Sequence, residues 1–446
     1  MASVVLVWTA VDRRRYKLKL SDLIRIYESQ KFPGYFLVLN PIVPAWIVTN
    51  RAGVYFLSYI DQNIPDITKL TINSPLLVNN KQVDNHVKEQ IFNSGILQFN
   101  NLTPSHKTYF LNAIYLNMTA QCNLKCKYCY AETRVENKHS LLRIEEYKKL
   151  LDDIREINSN TVSIMFTGGE PLLNKNTIDI ATYAKSKGFY TQLMTNGTLI
   201  TDRNVDSLVQ VFDEFRISVD GSTPEINDIL RGSNSYERIN KGIFLLKNHN
   251  AKFTVAMVVN KLNKGDIKNM QKVWGNNLKY QPFFPFKNES KINETLAITG
   301  EEYYNLLSDE VGIVPFSSLD GIIKSHLNNR SIHKCAMGDG ELSISSNGDV
   351  YPCQLLHYPE FLIGNIKDNS IQELYLSDKC NYFKHHTIKE IDGCKQCDFR
   401  YLCGGACQAR HYAETGSINV AGKFCEYEQN AIVDGLIASS INVKSI

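Results

Sequence analysis

The chain has 446 residues, enough for two or three domains that each bury a core without disulfide support. Its 43% hydrophobic and 21% charged content is ordinary for a soluble globular protein. With 49 basic against 46 acidic side chains, a net charge of +3 argues for neither a nucleic-acid partner nor a membrane surface.

In chain order, residues 1–17 come first. Their apolar run is too short to span a bilayer and has its arginines after it, the reverse of a signal peptide. This run reads as a first strand of a cytoplasmic protein, and no later stretch is apolar enough to cross a membrane. In that compartment the 11 cysteines are not expected to pair as disulfides. None precedes Cys122; three follow together, then none until Cys335, and eight crowd the last quarter. Filler cysteines would scatter, so this clustering points to metal ligands or catalytic groups.

Residues 1–108 mix extended runs at 35–40, 45–50 and 54–60 with a helix over 84–95, and read as a separate small domain. From 113 to 286, β-rich runs at 113–120, 161–169, 190–197, 213–221, 252–260 and 278–286 alternate with helical patterns such as 143–157 and 177–188. Six β–α units in this order imply an α/β fold with a parallel sheet, and ligands collect at the carboxyl ends of its strands. Whether the sheet closes is not legible. A polar connector with helix follows over 291–333, and then a cysteine-rich tail over 334–446.

Cys122, Cys126 and Cys129 follow the first of the six strands at spacings that bring their sulfurs to one side of a single turn. Soft thiolates select zinc or iron-sulfur clusters. A structural zinc is closed by four protein ligands, whereas a site kept for chemistry leaves a position free. C-x3-C-x2-C, with Tyr128 just before its last cysteine, resembles the signature of the radical S-adenosylmethionine (radical SAM) superfamily. That resemblance implies a 4Fe-4S cluster on three cysteines, its fourth iron chelated by the methionyl part of S-adenosyl-L-methionine. Reductive cleavage then yields a 5′-deoxyadenosyl radical that removes hydrogen from unactivated carbon. The rival is a zinc knuckle that borrows Asp or His from elsewhere.

The second strand ends in Gly168, Gly169, Glu170 and Pro171. Two glycines let backbone approach a ligand closely, and Pro171 holds Glu170 extended at the sheet's edge. In the resembling family the matching motif binds the methionyl amino group. Ser218 and Asp220 end another strand, where a carboxylate can accept ribose hydroxyls; the resemblance makes both cofactor contacts. Arg231 then suits the methionyl carboxylate, and Asn196 is a further candidate contact, against the plainer readings of a solvated arginine and an Asn-Gly turn.

The tail runs Cys335-x12-Gly348-x4-Cys353, then Cys394-x2-Cys397-x5-Cys403-x3-Cys407 and finally Cys425. This is similar to the SPASM domain of peptide-modifying radical SAM enzymes, which carries up to two auxiliary 4Fe-4S clusters. The resemblance assigns Cys394, Cys397, Cys403 and Cys425 to an outer cluster and Cys335, Cys353 and Cys407 to an inner one, which is again one ligand short. Cys380 belongs to no position of the pattern and reads as a buried hydrophobe. Two zinc ribbons are the rival for the tail.

Sulfatase maturases resemble the chain over core and tail, but carry Asp directly after the cysteine matched by Cys353; here Gln354 stands there. The first hundred residues look like a winged-helix peptide-recognition domain, which takes a leader peptide as an added strand. The expectation is a maturase of ribosomally made peptides with an incomplete (β/α)6 barrel over 109–290 and a SPASM tail closing the barrel mouth. It would form an intramolecular thioether or carbon-carbon crosslink, with a flavodoxin- or ferredoxin-type electron donor and neither nucleic-acid nor membrane partners. An anaerobic sulfatase-maturase-like enzyme is the alternative, and a zinc-ribbon binding protein is the alternative of another class. The catalytic base is not named by the sequence.

Overall fold

The computed structural model describes residues 24–50 save 30 and 42–44, scattered positions from 51 to 82, 111–129, 141–285 save 159 and 161, 290–312, and 334–442.

Three antiparallel strands, β1 (Arg25–Glu28), β2 (Tyr35–Leu39) and β3 (Trp46–Asn50), form the N-terminal sheet in the order β1-β2-β3. Of the run expected to be extended at 54–60, the described residues are not strand. Val54, Leu57 and Ser58 are helical, because the Asn50 side chain accepts the Gly53 N–H at 3.2 Å and so caps a turn whose Leu57 is buried. Two short strands, β4 (Leu77–Val78) and β5 (Lys81–Gln82), pair with each other. The expected first strand within 1–17 and the helix over 84–95 lie outside the described residues.

The six expected parallel strands are β6 (Ala113–Asn117), β7 (Ser163–Thr167), β8 (Tyr190–Thr195), β9 (Glu214–Ser218), β10 (Phe253–Val259) and β11 (Leu278–Pro282). Each pairs in parallel with the next in chain order. Their cores are apolar and closed to solvent at Leu116, Phe166, Leu193, Ile217 and Met257, the composition of strands covered on both faces. Helix α1 (Ile144–Ile157) shows how the covering layer forms. Tyr147, Leu150, Leu151 and Ile154 recur at helical spacing and are buried, while Glu146 accepts the Arg143 N–H at 2.7 Å in the first turn.

The tail continues the barrel sheet. Strand β12 (Glu341–Ile344) pairs in parallel with β6, and β13 (Asp349–Tyr351) and β14 (Gly364–Asn365) follow antiparallel, making one nine-stranded sheet. One hydrophobic core runs from Leu111 to Ala431 and includes Leu342, Ile344 and Val350 of this extension. The chain ends in α2 (Cys425–Asn442), which packs on β2 and β3. Asp434 of α2 accepts from Ser29 Oγ at 2.5 Å and from the Tyr304 hydroxyl, so the N-terminal sheet is fastened to the tail by a buried carboxylate.

Candidate active site

All six parallel strands deliver their carboxyl ends to one side, and the loops that follow them meet there. The loop after β6 carries Cys122, Cys126 and Cys129. Its backbone is gripped by the turn after β7: Gly169 N donates to Thr119 O at 2.7 Å and Glu170 N to Gln121 O at 2.8 Å. A Cβ on Gly168 would lie 2.3 Å from Thr119 O and one on Gly169 2.1 Å from Gln121 O. What these glycines admit closely is therefore the cysteine loop itself.

Glu170 is not presented at the sheet's edge; it is fully buried. One carboxylate oxygen accepts from Thr195 Oγ1 at 2.7 Å and Leu172 N at 3.1 Å, the other from Asn196 N at 2.9 Å. Burial pushes its carboxyl up to about 7 against these three donors. Asn196 ties the same turn to the cluster loop, its Nδ2 donating to Asn123 Oδ1 at 2.9 Å and approaching Cys122 Sγ at 3.8 Å. Asn123 in turn donates to Thr198 Oγ1 at 2.8 Å.

On the other flank, Asp220 and Arg231 are both buried and form an ion pair, Nε to Oδ2 at 2.5 Å. The Tyr128 hydroxyl donates to Asp220 Oδ2 and accepts from Arg231 Nη2 at 2.9 Å. Asp220 Oδ1 accepts the Val258 N–H at 2.8 Å. Burial raises the Asp220 carboxyl, and the guanidinium and that N–H oppose the rise. Ser218, at the end of β9, is half-buried beside this pair's strand. Tyr128, the aromatic of the cysteine signature, and Asp220 and Arg231, two expected cofactor contacts, thus form one unit that pins the cysteine loop to the ends of β9 and β10.

The thiols fit an iron-sulfur cluster by chemistry and by spacing. All 11 cysteines are free. Burial raises Cys122 and pushes Cys126 up to about 11, with Arg231 opposing the latter. Among the described residues no three His, Cys, Asp or Glu side chains close on a single metal-ion position. Cubane thiolates ligate different irons and stand further apart than the ligands of one zinc.

The tail brings several of its cysteines near one another. Cys403 and Cys425 each sit within electrostatic reach of Cys394 and Cys397. Cys335, Cys353 and Cys407 form the second set, and Glu341 stands among them. Cys380 belongs to neither: it is fully buried and its thiol donates to Gly338 O at 3.2 Å.

A model of the radical SAM superfamily matches residues 116–273, and one of an iron-sulfur cluster-binding domain, SPASM, matches 335–398. An uncharacterized protein of Methanocaldococcus jannaschii is 32% identical over 289 residues, 62% of this chain and 96% of that protein. The chain belongs to the radical SAM superfamily. As a radical SAM/SPASM enzyme it uses S-adenosyl-L-methionine with a 4Fe-4S cluster, and its SPASM region carries auxiliary iron-sulfur clusters. The radical SAM chain is also 28% identical to the AdoMet-dependent heme synthase of Oleidesulfovibrio alaskensis over 70% of its own length and 86% of that enzyme. It is 24% identical to the cysteine-type anaerobic sulfatase-maturating enzyme of Clostridium perfringens, over 64% and 86%. Among solved structures, anSMEcpe with bound AdoMet shares the fold at TM-score 0.61 and 20% identity, over 74% of this chain and 98% of that one. SuiB of Streptococcus suis bound to the precursor peptide SuiA does so at TM-score 0.53 and 15% identity, over 90% and 98%.

Sequence reasoning missed Thr195, Asn123 and Thr198, which orient Glu170 and the cysteine loop. It also missed the network in which Asn117 Nδ2 donates to Ser343 Oγ and Ile344 O at 3.0 Å each, and Ser343 Oγ donates to Gln354 Oε1 at 2.8 Å. Asn117 at the end of an apolar strand was the available signal; its partners, more than two hundred residues away, were not.

Proposed function

We propose that this enzyme modifies a ribosomally made precursor peptide, its leader held by the N-terminal domain (1–108) and its core residue offered to the radical site, with an intramolecular thioether or carbon-carbon crosslink as product. The observation that carries this reading is the antiparallel N-terminal sheet, fastened by Ser29 to the tail and by Lys31 to the connector, Lys31 Nζ donating to Ser308 O at 2.5 Å. Addition of a peptide as a strand uses the edge of such a sheet. Likeness to the fold of SuiB, whose structure holds a precursor peptide, reaches over 90% of the chain, whereas anSMEcpe accounts for 74%. Gln354 in place of Asp supports crosslinking over sulfatase maturation.

When bound, the cluster and S-adenosyl-L-methionine supply the radical that takes hydrogen from the substrate. In this proposal Cys122, Cys126 and Cys129 hold the cluster. Gly168, Gly169, Glu170, Asn196, Ser218, Asp220, Arg231 and Tyr128 surround the S-adenosyl-L-methionine, and the tail's thiolates hold the auxiliary clusters. Their shared task is to keep the reacting carbon oriented and water excluded. The enzyme would work in the cytoplasm with a flavodoxin- or ferredoxin-type donor.

Anaerobic incubation of reconstituted enzyme with dithionite, S-adenosyl-L-methionine and a precursor peptide encoded beside its gene tests the reading by mass spectrometry. Loss of two hydrogens with formation of an internal bond supports it. A second reading rests on the 28% identity to a heme synthase: conversion of a tetrapyrrole, with every candidate peptide left intact, replaces the peptide proposal.

A further inference from the structure

The inner set of cysteines in the tail lacks a fourth thiolate, and the structure supplies a different donor at that place. Glu341 opens β12, and hairpin pairing of Ser343 with Tyr351 and Ile344 with Val350 extends to set Glu341 across from Cys353. Gly338 N closes the mouth of the hairpin by donating to Glu341 O at 3.1 Å and Pro352 O at 2.9 Å. Strand alternation puts Leu342, fully buried, on the opposite face, so Glu341 and Ser343 share the face toward the cysteines. The Glu341 carboxylate meets the Cys353 thiol and lies within electrostatic reach of Cys335 and Cys407.

Cys380, the remaining cysteine, is engaged with the Gly338 carbonyl. Carboxylate oxygen is a competent iron ligand, harder and more easily exchanged than thiolate.

We propose that Glu341 is the fourth ligand of the inner auxiliary cluster, a carboxylate beside the thiolates of Cys335, Cys353 and Cys407. This rests on the reading that those three cysteines hold a cluster. On binding, a carboxylate oxygen bonds to iron and any carboxyl proton leaves to solvent; no electron is transferred. A carboxylate ligand holds the cluster at a higher potential than four thiolates would, which suits an acceptor of the second electron of an oxidative crosslink.

Full-length wild type, Glu341→Ala, Glu341→Cys and Cys353→Ala, each reconstituted anaerobically, are compared by iron and sulfide content, by electron paramagnetic resonance of the reduced state, and by the response of that spectrum to cyanide. Cyanide should shift the signal of Glu341→Ala, whose iron is opened, at a lower concentration than that of wild type, and should leave that of Glu341→Cys unchanged. Glu341→Cys should keep the full iron content with a lower midpoint potential. Equal cyanide sensitivity of wild type and Glu341→Ala, or an unchanged potential in Glu341→Cys, overturns the assignment while leaving the cluster in place. Cys353→Ala with undiminished iron and sulfide removes the inner cluster itself, and Glu341's role with it.

Discussion

At the scale of single residues, two buried carboxylates decide how the cofactor loop is held, and they do so differently. Asp220 is compensated by Arg231 and shared with the Tyr128 hydroxyl. Removing one partner of a buried pair costs about 3–5 kcal/mol because the other charge is stranded. Arg231→Met should therefore lower the unfolding free energy of the cluster-free protein by that amount in urea titrations. A double variant with Asp220→Asn should lose less than the sum of the two single changes. Glu170 has donors but no cation, and its carboxyl is raised from 4.5 to about 7. The folded state then binds the proton more tightly than the unfolded one, so this contribution to stability is full below about pH 4.5 and is lost as pH rises through 7. The loss is about 3 kcal/mol at most. Denaturation midpoints between pH 5 and 8 should show this slope in wild type and lack it in Glu170→Gln, whatever that variant's absolute stability. At Cys126 the expectation is simpler. Cys126→Ala should release no 5′-deoxyadenosine under reducing conditions, as read by chromatography of the quenched reaction.

Among elements, the turn after β7 and helix α2 act as fasteners. The turn reaches the cysteine loop only because residue 169 has no Cβ, which would stand 2.1 Å from the Gln121 carbonyl and 2.7 Å from that of Ala120. Gly169→Ala forces these backbones apart, and a shift near 1 Å at a reacting centre lowers rate on the order of a hundredfold. Cofactor cleavage should fall by that order while far-UV circular dichroism is retained. Helix α2 fastens the N-terminal sheet through Asp434, which takes hydroxyl hydrogen bonds from Ser29 and Tyr304. Hydrogen bonds to a charged group contribute about 1.5–3 kcal/mol each. Asp434→Asn should accelerate amide hydrogen exchange in β1, β2 and β3 and leave that of β6 to β11 unchanged.

At the level of the whole molecule, the N-terminal sheet, the barrel and the tail are mechanically joined. Tyr27 of β1 donates to Asp398 at 2.8 Å and its ring lies tilted against that of Phe399, centroids 4.7 Å apart, next to Cys397 of the outer cysteine set. A leader peptide that adds as a strand should protect amides within 24–50 and carry that protection to residues around 397–399. Protection confined to the barrel would place the peptide elsewhere.

Much of this was legible in the linear chain because its signals are local. Six parallel strands followed from alternating β and helical patterns, since each unit carries its own periodicity and turn residues. The cysteine triplet and the tail's spacings named a chemistry, because ligands carried on one loop must be near in sequence. The run at 54–60 misled at its described residues Val54, Leu57 and Ser58, since β-rich composition was overruled by the Asn50 cap and by burial of Leu57. The joining of β12 to β6 was invisible, because hydrogen bonding between strand edges leaves no mark on either strand's pattern.

The sequence by itself thus determined the radical SAM core and the clustering of cysteines along the chain, since cysteine spacing and helical periodicity are written within a few residues. Only the tertiary structure decided that Tyr128, Asp220 and Arg231 are one unit, that Glu170 is spent inward, and that Glu341 faces Cys353. These are contacts between distant segments, fixed by which strands share an edge and which charges must find partners once water is gone.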